Sequence, residues 1–529
     1  MNILVILILS LVLAACAGDG SGNTSSNDVD GNANSDDEND TDAPLTATVG
    51  ADVVSLSVQG SNDIPSGQVT EHIYETLVNL DENKEPAEGL AEDWEQVDER
   101  TWDFFLKKDI SFHDGEKFDA EAVKSNFDRL MDKEIGSPRT FLLEPVDSWE
   151  VIDDYTIRIK TKDPFAPLLA NLAHIGTGIM SPAMIEEDYQ QMEEGEDPDS
   201  YINKQAIGTG PLQFESWTPG EKIELSRFDD YHGELAKSEK YVVKVVSEQS
   251  ARIAELETGN SDVAESIGSS NVKRVEQTDG VDVVDVPSVS LDYIGLNTEK
   301  EPFDDVKVRQ AISMVIDKES IIDGVYEGYS VKAEGPVAPT IFGHDESLKG
   351  SEYDVETAKQ LMEEAGYADG FETTLWTDDD DGRKDIAVSV QSQLEELNID
   401  IEIVELEWGT YLERVNNGEH DMFVLGWSTA TEDADFTLYQ LFHSSQHGST
   451  GNRTFIDDDE LDSLLDDARQ ETDIDKRKEI YSEAQELLVE LAPMIYLGHS
   501  EHLAGVGENV KGFDIASDGT LGLPSAYKE

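Results

Sequence analysis

The sequence predicts an α/β protein with mixed sheets, divided among two or three domains. Three observations carry that expectation. Strand-like and helix-like segments alternate through the chain, as they do where helices cover the faces of a sheet. The length, 529 residues, exceeds what one core ordinarily sustains. Hydrophobic residues make up 38% of the chain, enough for sizeable cores and too many for a disordered polymer.

In chain order, Thr46–Gly50 and Val53–Val58 read as an opening β segment, and Glu71–Leu80 as a helix with Ile73, Leu77 and Val78 inward. Trp102–Leu106 and Tyr155–Ile159 read as strands. Between them, Ala120–Met131 places Val123, Phe127 and Leu130 at helical spacing. Lys222–Ser226 and Tyr241–Val246 are strand-like, and Ser250–Thr258 is a helix stopped by Gly259. The strand Tyr293–Asn297 precedes a helix carrying Val308, Ala311, Ile312, Val315 and Ile316 on one face. Further helices are expected at Val355–Ala365, Asp385–Leu397 and Trp408–Asn416. Further strands are expected at Thr373–Trp376, Ile399–Val404 and Met422–Leu425. A last long helix carries Ile480, Ala484, Leu487, Leu488 and Leu491, with Asp473 as its N-cap and Pro493 beyond its end.

The N-terminus has a different character. Ile3–Leu13 is almost wholly apolar, too short to span a bilayer but of the length of a signal-peptide core. It leads into Leu13-Ala14-Ala15-Cys16, similar to a bacterial lipobox, so residues 1–16 read as a lipoprotein signal with Cys16 as the lipidated residue. The n-region is only Met1-Asn2 and lacks Lys or Arg, a departure that concerns the position of the start codon. Residues 17–44 are rich in Gly, Ser, Asn and Asp, with the run Asp36-Asp37-Glu38-Asn39-Asp40, and read as a disordered acidic tether.

Charge and cysteine content exclude several functions. There are 115 acidic and 38 basic residues, a net charge of −77. Phosphate backbones require a basic surface, so nucleic acid is not expected as a partner. The acids are dispersed, which reads as a surface adapted to high salt, where ions screen carboxylate repulsion. A calcium protein is the alternative, but no EF-hand loop is present. The single cysteine excludes a disulfide framework and multi-cysteine metal sites. No phosphate-binding glycine loop, nucleophile elbow or H-E-x-x-H pair occurs, which favours binding over catalysis, and no cofactor is expected. Two histidine pairs, His443 with His447 and His499 with His502, could hold a transition metal only with further ligands.

A set of motifs then resembles the family 5 substrate-binding proteins of ABC importers, which include dipeptide, oligopeptide, glutathione and nickel binders. The set runs from His72-Ile73-Tyr74-Glu75 and Phe112-His113-Asp114-Gly115-Glu116 to Gly208-Thr209-Gly210-Pro211. It continues with Pro302-Phe303-Asp304-Asp305-Val306 and Arg309-Gln310-Ala311-Ile312, then Gly451-Asn452-Arg453 with the Asp462–Ala468 helix. Their order and spacing are specific, and the likeness runs from Leu45 to the end. It looks closest to the glutathione-binding branch and its Gram-positive relatives.

The resemblance implies a two-lobed periplasmic-binding-protein-like fold, type II, cluster C, with an extra subdomain in lobe I. Lobe I would be residues 45–290 plus the return segment 497–529, with the subdomain near 80–200. Lobe II would be 291–496, with hinge strands near Ser288–Asn297 and Met494–His502. The implied function is an extracellular, lipid-anchored binding protein that captures glutathione or short peptides for membrane permease and ATPase subunits, as a monomer. Nickel-chelate binding is the alternative, with His443 and His447 as metal candidates; a secreted peptide hydrolase is a third reading. Ala430 stands where dipeptide binders carry the aspartate that pairs with the peptide amine, so that role passes to Asp433 or Glu432, with Asp435 nearby. Arg383, in the loop after Leu375-Trp376, is the implied carboxylate clamp and Arg453 the second candidate. Trp427 and Tyr293 would form apolar walls.

Overall fold

Strand β1 (Leu45–Val49) opens the fold, largely buried. No second strand follows: Val53–Val58 is a loop buried except at Val54, with the N–H groups of Val54 and Ser55 taken by Ser66 Oγ and that of Leu56 by Asn203 Oδ1. The first helix also differs from expectation. Helix α1 spans Ile64–Ile73 because Asp63 caps it, accepting from Ser66 N at 2.9 Å, and Pro65 occupies its first turn. The segment beyond Tyr74 instead forms β2 (Val78–Leu80), a short hairpin with β3 (Pro86–Glu88).

An antiparallel sheet comes next, in the order β4–β5–β7–β6, from β4 (Ala91–Asp98), β5 (Thr101–Leu106), β6 (Val146–Asp153) and β7 (Thr156–Thr161). Helix α2 (Ala120–Leu130) buries Val123, Phe127 and Leu130 in the core that includes Phe104, Ile157 and Ile159. Arg129, on the same helix, is 0% exposed and pairs with Asp188 and Asp199, both at 2.8 Å. β4 and β6 escaped the sequence reading because charged residues hold most of their exposed positions and leave little apolar alternation.

The computed structural model describes residues 43–449 and 451–529, within one unit, Thr41–Glu529. Cys16, the signal segment and nearly all of the expected tether lie outside the described residues. No helix among those described is long and apolar enough to cross a membrane.

The remaining strands build one 12-stranded mixed sheet. On one side β8 (Leu212–Thr218), β9 (Lys222–Arg227) and β10 (Lys240–Val245) extend β1, with β11 (Val263–Ala264) and β12 (Val281–Pro287) beyond. On the other lie β13 (Ser290–Leu296), β14 (Ser330–Lys332), β15 (Glu372–Thr377), β16 (Asp400–Glu405) and β17 (Met422–Ser428). β18 (Met494–Gly507) joins the two halves. Its first residues pair with β13 and residues Glu501–Gly507 pair with β12. At the crossing, the hydroxyls of Ser288, Ser290 and Ser500 form a chain of 2.6 and 2.7 Å contacts. Separate cores flank the halves, one around Leu45, Leu56 and Tyr241, the other around Ile294, Ile312 and Val424. The molecule is thus two-lobed, with mixed α/β layers.

Three helices of the second half position the site: α3 (Ala434–Phe442), α4 (Asp459–Gln470) and α5 (Ile474–Leu491). Asp473 caps α5 as expected, accepting from Lys476 N. The helix expected at Asp385–Leu397 starts earlier, at Asp381, because Asp380 accepts from Arg383 N and caps it there.

Candidate functional site

Between the lobes lies a cleft of about 660 Å³. One wall comes from the start of α1, from Leu80, from Arg139 and Phe141, from Ala173–Ile175 and from Asp518 and Thr520. The other comes from Trp408, the end of β17 with its following loop (Gly426–Glu432), and Phe436. Aromatic rings meet across it: Phe141 and Phe436 lie 5.7 Å apart, and Phe436 packs on Trp427 at 5.5 Å. Trp427 Nε1 is buried and without a partner among the described residues.

Both signs of charge line this cleft. Asp63, Glu71, Asp518 and Glu432 form its acidic part. Burial first, then the charge of Asp518, holds the Glu71 carboxyl well above its ordinary value of 4.5. Arg139 is the cleft's buried cation, 8% exposed. Its Nε donates to Ser61 O at 2.8 Å, and no carboxylate pairs with it among the described residues. Burial lowers its pKa from the ordinary arginine value. Beside it stands His174, whose pKa burial lowers to about 3, so the ring is neutral. His174 Nδ1 accepts from Gly176 N at 2.8 Å. Nε2 lies 3.3 Å from Arg139 Nη1. The guanidinium stands at the cleft wall, where an anionic oxygen can accept from it.

The sequence-predicted residues fall into three groups. Trp427, Ala430 and Glu432 line the cleft. Asp433 and Asp435 do not, which corrects the expectation for both. Asp433 caps α3 and is held by Arg477 through two contacts of 2.7 and 2.8 Å, with Tyr481 Oη at 3.2 Å. Asp435 pairs with Arg469 at 3.0 Å. Their charges are consumed inside one lobe, where each acid meets an arginine of α4 or α5. Arg383 is likewise engaged, bidentate to Asp378 at 2.6 and 2.7 Å, with its guanidinium 5.6 Å from the ring of the cleft residue Trp408. Arg453 donates to Asn416 Oδ1 at 2.7 Å, away from the cleft lining. Tyr293 is 0% exposed and packs edge-on against Phe423, a core residue rather than a ligand wall.

The histidine pairs do not converge. His443 stacks on Tyr439 and accepts from Ser445 N, while His447 Nε2 contacts Ile456 O. His499 and His502 contact the carbonyls of Ser290 and Ser517. Among the described residues no cluster of three or more His, Cys, Asp or Glu is poised for a metal. The reading from sequence missed Glu71, Arg139, His174 and Asp518. Arg139 alone carried a signal, as one of few cations in so acidic a chain.

Several contacts cross between the lobes. Lys84 Nζ reaches both Glu432 carboxylate oxygens at 2.9 Å, and Ser517 Oγ donates to Glu432 Oε1 at 2.7 Å. Lys478 pairs with Glu85 at 2.7 Å, and Ala166 N donates to Arg469 O at 2.7 Å. Walls, charges and cross-lobe contacts together describe a trap that encloses its ligand.

Known proteins share this architecture. Residues 85–449 match the family model for bacterial extracellular solute-binding proteins, family 5, middle region. The glutathione-binding protein GsiB of Salmonella paratyphi A is 30% identical over 483 residues, covering 90% of this chain and 92% of that protein. Among solved structures, HbpA2 from Haemophilus parasuis superposes with a TM-score of 0.84 at 26% identity, covering 92% of this chain and 100% of that one. The ABC transporter-associated periplasmic binding protein DppA from Helicobacter pylori, in complex with the peptide STSA, gives 0.74 at 31% identity, covering 92% and 98%. GsiB and DppA are binding proteins, not enzymes, and the chain belongs to the family 5 bacterial extracellular solute-binding proteins.

Proposed function

We propose that the cleft captures glutathione or a short peptide outside the cell and hands it to the permease and ATPase of an ABC importer. The observation that carries this reading is the pairing, in one cleft, of acids suited to an ammonium group with a buried arginine suited to a carboxylate. A zwitterionic backbone presents both groups, and the rings of Trp427, Phe436 and Phe141 supply apolar walls. Arg139 thereby takes the carboxylate role first considered for Arg383 and Arg453. Glu71 and Asp518 take the amine role first considered for Asp433 or Glu432, since Glu432 is held by Lys84 and Ser517. The relatives named for glutathione and for a bound peptide support the ligand class.

In this reading lobe I comprises 45–290 with the return segment 497–529, and lobe II comprises 291–496. Ligand bridges the two, and the crossing of β18 with β12 and β13 absorbs the closure. Cys16 anchors the chain by lipid at the outer face of the cytoplasmic membrane, and residues 17–44 give the trap its reach. The nickel-chelate alternative loses its histidine pair as a metal site, and a chelate would have to enter through its carboxylates.

Calorimetric titration with glutathione, dipeptides, tripeptides and a nickel–histidine chelate tests the assignment. Saturable heat with a peptide-like ligand, reduced in Arg139→Gln, is the expected outcome. Heat with the nickel chelate alone, or with none of them, rejects it.

A further inference from the structure

A second cavity, about 210 Å³, lies behind the cleft. Its walls are largely apolar: Trp94, Trp102, Leu169, Phe342 and Ile474. Two of its charged groups are spent on each other, Asp433 and Arg477 at 2.7 and 2.8 Å. Leu80 borders both cavities. Lys84 lines the second cavity and Glu432 lines the cleft, and their ion pair stands between the two spaces.

This partition is built rather than incidental. Lys84 sits at the turn of the β2–β3 hairpin, in a left-handed conformation with φ 60°. Asp81 fixes that turn: its side chain accepts from Asn83 N and Glu85 N, and its carbonyl accepts from Lys84 N. Glu432 is held from the other side by Ser517 Oγ and is also left-handed, with φ 52°. Both side chains are mostly covered, 21% and 15% exposed, so neither swings freely into solvent.

We propose that the Lys84–Glu432 pair selects ligand length: it ends the cleft for short peptides, and the cavity behind it is a subsite for an apolar or aromatic side chain once the pair parts. The inference rests on the reading of the cleft as a peptide site. A neighbouring pair supplies its control. Glu85 and Lys478 join the same turn to the other lobe at 2.7 Å, yet neither lines either cavity. Cutting that pair weakens closure without merging the spaces, whereas cutting Lys84–Glu432 merges them while Glu85–Lys478 still holds the turn.

The test is calorimetric titration of the full chain with di-, tri-, tetra- and pentaalanine, and with the same lengths ending in phenylalanine. The wild type is expected to lose at least tenfold in affinity beyond its preferred length. In Lys84→Ala that loss shrinks to threefold or less for the phenylalanine series, and Lys478→Ala keeps the wild-type profile. If Lys84→Ala does not fold, Lys84→Gln carries the same expectation. An unchanged length profile in a Lys84 variant that still binds the short peptides overturns the proposal. So does an equal shift in Lys478→Ala, which would make the pair a closure contact only. A wild type that binds no peptide at any length removes the peptide reading itself, and this proposal falls with it.

Discussion

Arg129 and Arg139 are both buried arginines of the N-terminal half, and they are used in opposite ways. Arg129 is enclosed: Asp188 and Asp199 each lie 2.8 Å from it, and the ring of Tyr189 covers its guanidinium at 5.3 Å. Arg139 makes no ion pair among the described residues: it has a carbonyl, an imidazole and the cleft, with the charges of Asp63 and Glu71 felt only at longer range. A buried charge with its partners is part of the scaffold, and a buried charge without a counter-ion is a site waiting for one. Changing Arg129 to methionine should give the largest effect of any substitution considered. It strands two acids, Asp188 with 0% and Asp199 with 11% of its side chain exposed, and breaking such a group by removing one side costs about 3–5 kcal/mol. Thermal melting should fall markedly, while the molecules that remain folded keep wild-type ligand affinity. Lost affinity at unchanged melting would merge the two arginines into one class.

Arg139→Gln should show the mirror image. Losing one side of a charge pair formed with the ligand costs roughly 2 kcal/mol or more, a fall in affinity of at least about 30-fold. Its melting temperature should stay level or rise, because no internal ion pair is broken and a desolvated charge is removed. Calorimetry and a thermal melt on the same preparation check both halves of the prediction.

The acidic part of the cleft sharpens the contrast through pH. Asp518 and Thr520 face Glu71 from the C-terminal segment, and Glu432 faces it from the other lobe, itself paired with Lys84. Arg139 also feels the Glu71 charge. In the free protein Glu71 keeps its proton above pH 4.5, the ordinary value, because burial and Asp518 both oppose its charge. A ligand ammonium favours the ionised form, so binding expels that proton. Affinity should therefore rise as pH climbs from 4.5, by less than about tenfold per pH unit since one proton is involved. It should level off once Glu71 ionises without ligand. Glu71→Gln should flatten the profile, and a profile unchanged by that substitution would move the proton elsewhere.

The limits of the sequence reading follow from the same chemistry. Periodic helices were legible: Val355–Ala365 and Trp408–Asn416 lie at their expected bounds, since an apolar stripe identifies itself within a few turns. Strands with one charged face, such as β4 and β6, were not, because half of their pattern imitates a loop. The cleft was least legible. Asp433 looked available for a ligand until Arg477, 44 positions away, took it. Glu71 and Asp518 meet only because the C-terminal segment returns to α1, where Gln68 Nε2 donates to Gly519 O across 451 positions. Local spacing cannot state whether a charge is spent inside the fold, and that is the difference between Arg129 and Arg139.

Exposed pairs mark the weak end of the comparison. Arg274 grips Glu257 through two contacts of 2.8 Å, a better geometry than either buried arginine needs, yet its side chain is 43% exposed. Water competes for both partners, so Arg274→Ala should change stability by about 0.5 kcal/mol or less. Salt separates this pair from the rest of the surface. At 1 M the screening length is roughly 3 Å, so the effect of Arg274→Ala should vanish. The wild type should meanwhile melt at a higher temperature than in dilute buffer, because 115 acids against 38 bases leave repulsion as the dominant exposed interaction. A melting temperature that falls with salt would mean that pairs such as Arg274–Glu257 outweigh the surplus of carboxylates, and geometry rather than burial would then rank the arginines of this chain.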